Sequence, residues 1–496
     1  MPALTDSDAP AAARHHLLHR AIKRRKNPPL RRSDITVTEE KDVHRAVKAA
    51  ALGNAMEWFD FGIYSYLAVT IGKVFFPGGN ATIQVLSSFA TFAVAFLVRP
   101  LGGMFFGPLG DRIGRKKVLS FTMIMMATST LAIGLIPGYH AIGYASPALL
   151  ILFRMLQGFS TGGEYGGAST FIAEYAPDKR RGYFGSFLEF GTLIGYTAAA
   201  GLVTILTLTL SDDAMGSWGW RIPFLVAAPI GLVGLYLRLK LDETPAFQKL
   251  EEETAASQER TTLPFWQVFR TQWRAMVLCM ALVAAYNITD YMLLSYMPTY
   301  LSETLHYSST NALVSIIIVM LVLMAAITFV GRLSDRIGRK PALLAGSIGF
   351  FVLAVPSFLL IKQGGIVPVF AGLLLLGLCL LPYVAVMSAS LPALFPTDVR
   401  YGSLSIAFNI SVSLFGGTTP LVVEALVSST GDDLMPAYYT MLAAIVGIIA
   451  SAVMKETARK PLEGSPPSVA TKEEAIALVE SQSQQAHQPY QFHQSH

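Results

Sequence analysis

Apolar runs long enough to cross a bilayer recur along most of the chain. Twelve stand out, at approximately 45–72, 83–109, 117–137, 147–175, 183–209, 221–240, 274–301, 310–333, 341–361, 365–394, 402–428 and 435–455. About 20 apolar residues suffice for one helical crossing. The pattern therefore predicts an all-α integral membrane protein with twelve transmembrane helices. Residues 1–44 are polar, with a basic stretch from Lys23 to Lys26 before Pro28 and Pro29, and read as a mostly disordered tail. The polar stretch 241–273 separates a six-helix bundle over 45–240 from a second over 274–456. The tail 457–496 is polar, with one short helical stretch from Lys472 to Glu480. No signal peptide is visible, so the first apolar run is expected to stay as a membrane helix.

Charge gives this pattern a direction. Lys and Arg crowd the loops after segments 2, 4 and 8: Arg112, Arg115, Lys116 and Lys117; Lys179, Arg180 and Arg181; Arg332, Arg336, Arg339 and Lys340. The loops after segments 3, 7 and 11 have neither residue. The positive-inside rule then places both termini in the cytoplasm, as an even number of crossings requires. A bacterial cytoplasmic membrane is the expected location. Composition agrees: 52% of the 496 residues are hydrophobic and 14% charged, against about 25% charged in soluble domains. The net charge of +5 lies in loops and tails, not on a basic face interleaved with aromatics, so nucleic acid is not an expected partner.

The two halves repeat one another. Gly107, Leu109 and Asp111–Arg112–Ile113–Gly114–Arg115–Lys116 recur as Gly331, Leu333 and Asp335–Arg336–Ile337–Gly338–Arg339–Lys340, offset by 224 residues throughout. Pro177 and Arg181 match Pro396 and Arg400, and Glu243–Thr244 matches Glu456–Thr457. Parallel duplication of this kind is a transporter signature. The glycines permit a tight turn, and the Asp can cap a helix or accept from Arg. One reading is that the basic residues only fix topology. The matched duplication favours a second reading, a pair of cytoplasmic gating latches between the halves.

These residues resemble the signature of the major facilitator superfamily, G-x-L-x-D-R-x-G-R-K. Gly53–Gly62, Arg99–Gly103, Gln157–Ser160 with Gly163–Tyr165, and Trp220–Phe224 are similar to stretches of its metabolite:proton symporters. Glu243–Phe247, Tyr291–Leu294, Phe408–Ser411 and Met435–Tyr439 most resemble the ProP-type osmoprotectant symporters. The resemblance spans roughly 45–465. It implies proton-coupled import of proline, glycine betaine or ectoine, stimulated by high osmolality, with no cofactor and the proton gradient as energy source. The chain departs from the pattern in lacking the long C-terminal coiled coil of some members, and in Asp290 and Glu424, where uncharged residues are expected.

A carboxylate at mid-membrane is a functional candidate by default. Glu57 and Asp60 lie three apart on segment 1 and share a helix face. Two carboxylates that close cannot both ionise cheaply, so one holds a proton. The competing reading is a permanent ion pair with Arg154 or Arg99. Glu164, midway along segment 4, and Asp290, mid-way along segment 7, are further proton-coupling candidates. Arg154 can balance the acids or bind a substrate carboxylate bidentately. Trp58, Tyr64 and Tyr291 offer aromatic faces to a quaternary ammonium; packing is the competing role. Glu424, near the outer end of segment 11, reads as solvated.

Gly158–Phe159–Ser160–Thr161–Gly162 matches G-x-S-x-G, but a nucleophile elbow needs a strand and a histidine partner. Gly158/Gly162 and Gly163/Gly167 read instead as small-residue contacts between helices. No enzymatic activity, metal or P-loop is expected. Cys279 and Cys379 read as small hydrophobes. The main expectation is import of a zwitterionic compatible solute; the alternatives are a proton symporter for a carboxylate such as 2-oxoglutarate, citrate or an aromatic acid, and a non-transporting membrane osmosensor.

Overall fold

The computed structural model describes residues 32, 35–38, 40–113, 115–239, 265–397 and 399–487. Within them the helices form twelve long segments. In the first half these are α1 (Glu40–Tyr66) continued by α2 (Ala68–Phe75), α3 (Ala81–Ile113), α4 (Arg115–Leu135), α5 (Ala145–Ser160) continued by α6 (Glu164–Tyr175), α7 (Arg181–Thr209) and α8 (Arg221–Leu239). In the second they are α9 (Phe265–Tyr291), α10 (Ser309–Ile337), α11 (Arg339–Lys362), α12 (Ile366–Ser390), α13 (Arg400–Ser411) continued by α14 (Thr419–Thr430), and α15 (Met435–Val453). A last helix, α16 (Lys472–His487), follows outside the bundle. The linker residues 241–264, with Glu243 and Thr244, lie outside the described residues, as do residues 1–31.

Eight described spans are long and apolar enough to cross a membrane by length and composition, and Ser120–Leu135 and Arg221–Val233 are shorter apolar helices. The remaining segments, α1–α2 and α5–α6, are diluted by Asn54, Glu57 and Asp60 and by Arg154, Gln157 and Glu164. All but Glu164 are buried. Large apolar side chains such as Leu101, Leu135, Leu208, Phe329 and Ile449 face outward. A surface of that kind belongs in lipid.

Helix α7 is where the halves meet: it packs along α1 on one side and along α10 and α12 on the other. Gly191 and Gly195 make its contact with α1 possible, because a Cβ at either would strike the backbone of Ala51 or Ala55. Gly158 and Gly162 lie in the same way against the carbonyls of Ala95 and Arg99 on α3, the expected small-residue contact. Gly163 and Gly167 differ. They face the Tyr401 ring of the other half, not a helix backbone. Segment 4 is also not one continuous helix; the chain turns at Thr161–Gly163, inside the G-x-S-x-G run.

At the end of the bundle that carries the duplicated motif, the second copy reaches into the first half. Asp335 accepts hydrogen bonds from the Gly182 and Tyr183 amides at 2.8 and 2.9 Å, so it caps the N-terminus of α7. Gly331 packs directly on Gly182. Arg339 lies 3.7 Å from Asp335 and donates to the Ala389 carbonyl. Gly338 has φ +107°, a left-handed conformation that frees the Arg339 and Lys340 amides to hold Glu456 at 3.0 and 3.1 Å. Arg336 points outward. The first copy's side chains, Gly107, Asp111, Arg112, Gly114 and Arg115, lie outside the described residues. Partial burial alone would raise the Glu456 carboxyl; the amides of Arg339, Ala458, Lys340 and Thr457 outweigh it and hold the group below its usual range.

The second repeat pair shows one geometry twice. Arg181 and Arg400 each donate through Nε to a carbonyl eight residues back, Ala173 at 2.8 Å and Pro392 at 3.1 Å. Each also holds the C-terminal segment, Arg181 at the Lys460 carbonyl (3.0 Å) and Arg400 at the Glu463 carbonyl (2.9 Å). The tail then pairs Ser468–Val469 as β2 in parallel with β1 (Thr36–Val37). Its helix α16 packs Ala475, Leu478 and Val479 against Ile35 and Val469. Residues expected as tails, about 35–44 and 457–487, are thus folded across this end of both halves, and the short C-terminal helix extends to His487.

Replacing Arg400 with Ala removes a buried cation that joins Glu174 (2.7 Å), two loop carbonyls and the tail. The expected loss is about 2–3 kcal/mol, read as a lower unfolding midpoint in detergent. Trypsin should also release a C-terminal tag from the variant faster than from the parent.

Candidate functional site

A helix places residues three apart on one face only to within about 60°. That spread separates Glu57 from Asp60. Glu57 turns to α3, where its Oε1 lies 2.7 Å from Arg99 Nη2, both side chains about 1% exposed. Arg99 sits over the rings of Phe96 and Phe61, 5.4 and 5.7 Å from their centroids. Asp60 turns to α4 instead and accepts from Thr130 Oγ1 at 2.8 Å. The two acids therefore serve different neighbours rather than one shared site.

Asp60 is the end of a chain. Arg154 Nη1 donates to Gln157 Oε1 (2.5 Å), Gln157 Nε2 to Thr130 Oγ1 (2.9 Å), and Thr130 to Asp60. Each bond points its donor toward the carboxylate, so the charge of Arg154 is relayed to Asp60 through polarised groups. No described ion pair joins the two directly. Arg154 is fully buried, 4.2 Å over the Tyr64 ring and 5.3 Å over Phe61 and Phe92. Among the described residues its Nε and Nη2 find no acceptor. Tyr64 is fixed by donating to the Ser88 carbonyl at 3.1 Å.

The aromatic residues join the halves. Trp58, whose Nε1 donates to Asn54 Oδ1 (3.1 Å), lies edge-on to Tyr291 at 5.7 Å and tilted to Tyr196 at 5.4 Å. Tyr291 also meets Phe96 edge-on at 5.4 Å. Gly416 lets this ring in, since a Cβ there would sit 3.1 Å from it. Tyr196 and Ser295 share a hydrogen bond of 2.9 Å across the interface, and Asn409 and Ser413 donate to the Gly162 and Phe96 carbonyls, each at 2.5 Å. The chain near Tyr291 winds as π-turns at Met292–Tyr296 and again at Val412–Gly416, a local form that recurs at functional sites.

The other acids divide. Glu164 is the first residue of α6, not a mid-helix group, because the chain breaks just before it. The helix N-terminus stabilises a carboxylate there. Glu424 is buried, not solvated, and accepts from Tyr296 at 2.9 Å. Asp290 is about 1% exposed, and its Oδ1 has no donor among the described residues. Thr130 was not among the residues the sequence singled out; Gln157 and Asn409 entered only within family-like stretches, and Glu189 only as an acid near the cytoplasmic end of segment 5, with no role assigned. Each is a polar group within an apolar run, the signal that marks such sites in membranes.

Two duplicated six-helix bundles that meet around buried charge define a multi-pass membrane protein of the transporter kind. The chain belongs to the Major Facilitator Superfamily, whose family model matches residues 50–416. It is 48% identical over 463 residues to the proline/betaine transporters of Salmonella typhimurium and Escherichia coli, with 92% of each chain covered. It is 47% identical over 464 residues to the glycine betaine/proline/ectoine/pipecolic acid transporter OusA of Dickeya dadantii, again with 92% of each covered. Among solved structures, the proton:xylose symporter XylE bound to 6-bromo-6-deoxy-D-glucose superimposes with a TM-score of 0.67 at 18% identity, covering 88% of this chain and 99% of that one. That last likeness speaks for the fold alone.

The two acids of α1 should behave differently on neutralisation. Glu57→Gln strips the buried Arg99 of its counter-charge and should cost about 3–5 kcal/mol. Asp60→Asn keeps an acceptor for Thr130 and should fold normally. Thermal unfolding of both purified variants distinguishes them; equal midpoints would contradict this assignment.

Proposed function

We propose that the protein imports zwitterionic compatible solutes such as proline, glycine betaine or ectoine, driven by the proton gradient across a bacterial cytoplasmic membrane. The end bearing the duplicated motif is its cytoplasmic face, because the Lys and Arg residues crowd there. The names of the 47–48% identical relatives support this substrate class. The structural observation that carries it is Arg154: a buried guanidinium clamped over Tyr64, two of its nitrogens without an acceptor among the described residues, and wired to Asp60.

The chemistry follows from those contacts. A substrate carboxylate takes the open edge of the guanidinium bidentately. It then competes for the charge that Arg154 relays to Asp60. Asp60, held by neutral donors rather than an ion pair, exchanges its proton as that relay strengthens or weakens. Binding of solute and proton are thereby coupled as the halves rock around the site. Trp58 and Tyr291 supply aromatic faces for the cationic end, which favours a zwitterion over a simple carboxylate. Glu57 holds Arg99 and supports the site without exchanging protons.

Purified protein in proteoliposomes tests this. Labelled glycine betaine, proline, ectoine and 2-oxoglutarate are offered with and without an inward proton gradient, across a range of osmolalities. Gradient-driven accumulation of at least one zwitterion is expected; none for any zwitterion would overturn the proposal. Asp60→Asn should lose accumulation yet keep exchange of internal for external solute. Arg154→Lys should weaken half-saturation at least tenfold, since an ammonium cannot form the bidentate pair.

A further inference from the structure

We infer that Asp290 is the anionic subsite for the cationic head of the transported zwitterion, and not a proton carrier. This rests on the proposed function and names the polarity of the same site.

The acids of the first half are compensated: Glu57 by Arg99, and Asp60 by the relay from Arg154. Asp290 is as deeply buried and has no described ion pair. Glu189 on α7 lies within electrostatic reach of Asp290, as do the tyrosines Tyr66, Tyr196 and Tyr286. Glu189 already takes hydrogen bonds from Tyr165 (2.6 Å) and Thr192 (2.8 Å). Asp290 Oδ1 takes none from the described residues, among which the Tyr66 and Tyr291 hydroxyls also lack partners. A lone carboxylate in an apolar interior is costly until a cation or a proton joins it.

The surroundings fit an organic cation. Tyr66 and Tyr196 pack ring to ring at 6.1 Å, and Tyr196 leads on to Trp58 and Tyr291. Electron-rich ring faces beside a carboxylate attract an onium group that has shed its water. Tyr291, next to Asp290 on the helix, connects this pole to the other: it lies within electrostatic reach of Arg99 and Arg154 as well as of Asp290 and Glu189. The site thus has a cationic pole on the first half and an anionic pole contributed by the second. A zwitterion lying between them offers its carboxylate to Arg154 and its onium to Asp290, so one molecule neutralises both halves. A carboxylate without the onium leaves Asp290 bare.

The test uses glycine betaine and 3,3-dimethylbutyrate, which has the same shape with carbon in place of the charged nitrogen. Binding is read from ligand-induced shifts in unfolding temperature of the full chain in detergent. Wild type should prefer betaine at least a hundredfold. Asp290→Asn should narrow that ratio at least tenfold by weakening betaine and sparing the isostere, and Asp290→Glu should recover part of it. Because the amide removes an uncompensated buried charge, the ligand-free variant should unfold no lower than wild type. An unchanged ratio in Asp290→Asn overturns the inference. So does a variant that keeps the ratio and solute exchange but loses gradient-driven accumulation, which would make Asp290 a proton carrier. Betaine binding that needs sodium in place of potassium, with the ratio unchanged in the variant, would make the site one for an inorganic cation and also overturn it. Wild type that binds neither compound would instead strike at the proposed function.

Discussion

A charge taken into the interior of a membrane bundle must find its counter-charge or its hydrogen bonds within the protein, because lipid supplies neither. Much of the first half is arranged around that constraint. Glu57 and Arg99 tie α1 to α3. Arg154, Gln157, Thr130 and Asp60 tie α5 to α4 and α4 to α1. These links need backbones close enough for short polar side chains to meet, and the glycines at 158, 162, 191 and 195 provide that approach. The same polar residues leave α1 and α5–α6 less apolar than the eight described spans that meet a strict test of length and hydropathy. Their polar content is tolerable only because their neighbours satisfy it.

The halves are held together by different physics at different depths. At the motif end the contacts are directional: Asp335 on the α7 amides, Ser388 on the Gly185 carbonyl at 2.6 Å, and Arg400 on Glu174. In the middle, ring edges and faces dominate, including the parallel stack of Tyr165 on Phe408 at 4.0 Å. Further out Phe89 meets Tyr296 at 6.0 Å. Ring contacts slide with little loss, whereas the Asp335 bonds are made or broken as a set. Any movement that parts the halves at the motif end must therefore break the α7 cap, and must also release the tail from Arg181 or from Arg400.

The duplication and the twelve segments were legible in the sequence, because period, hydropathy and repeat spacing are properties of the chain itself. Partnership was less so. Glu57 and Asp60 looked like one site because a helix wheel puts them together; the 60° between them, resolved by which neighbour stands at each angle, sends them to different helices. Glu164 looked mid-membrane because nothing short of tertiary structure reveals the turn at Thr161–Gly163. Glu424 looked solvated because its partner, Tyr296, lies 128 residues away. Thr130 was passed over because an isolated hydroxyl in an apolar run carries no pattern, and Gln157 entered only as part of a family-like stretch, without its bond to Arg154. The folding of the tail depends on two arginines whose repeat was visible but whose second role was not.

The contrast between Asp60 and Asp290 bears on how such a bundle couples solute to movement. Asp60 is compensated within its own half, so its energy changes little as the halves separate. Asp290 belongs to the second half, but its charged and aromatic neighbours Glu189, Tyr66 and Tyr196 belong to the first. Closing the halves without a cation brings Asp290 toward another carboxylate in a dry interface, which opposes closure. Closing them around a zwitterion replaces that repulsion with two attractions of opposite polarity. A ligand shifts a conformational equilibrium only by its differential affinity for the two states. In the proposed scheme the difference arises at Asp290, which the second half contributes, while the first half handles the carboxylate and the proton.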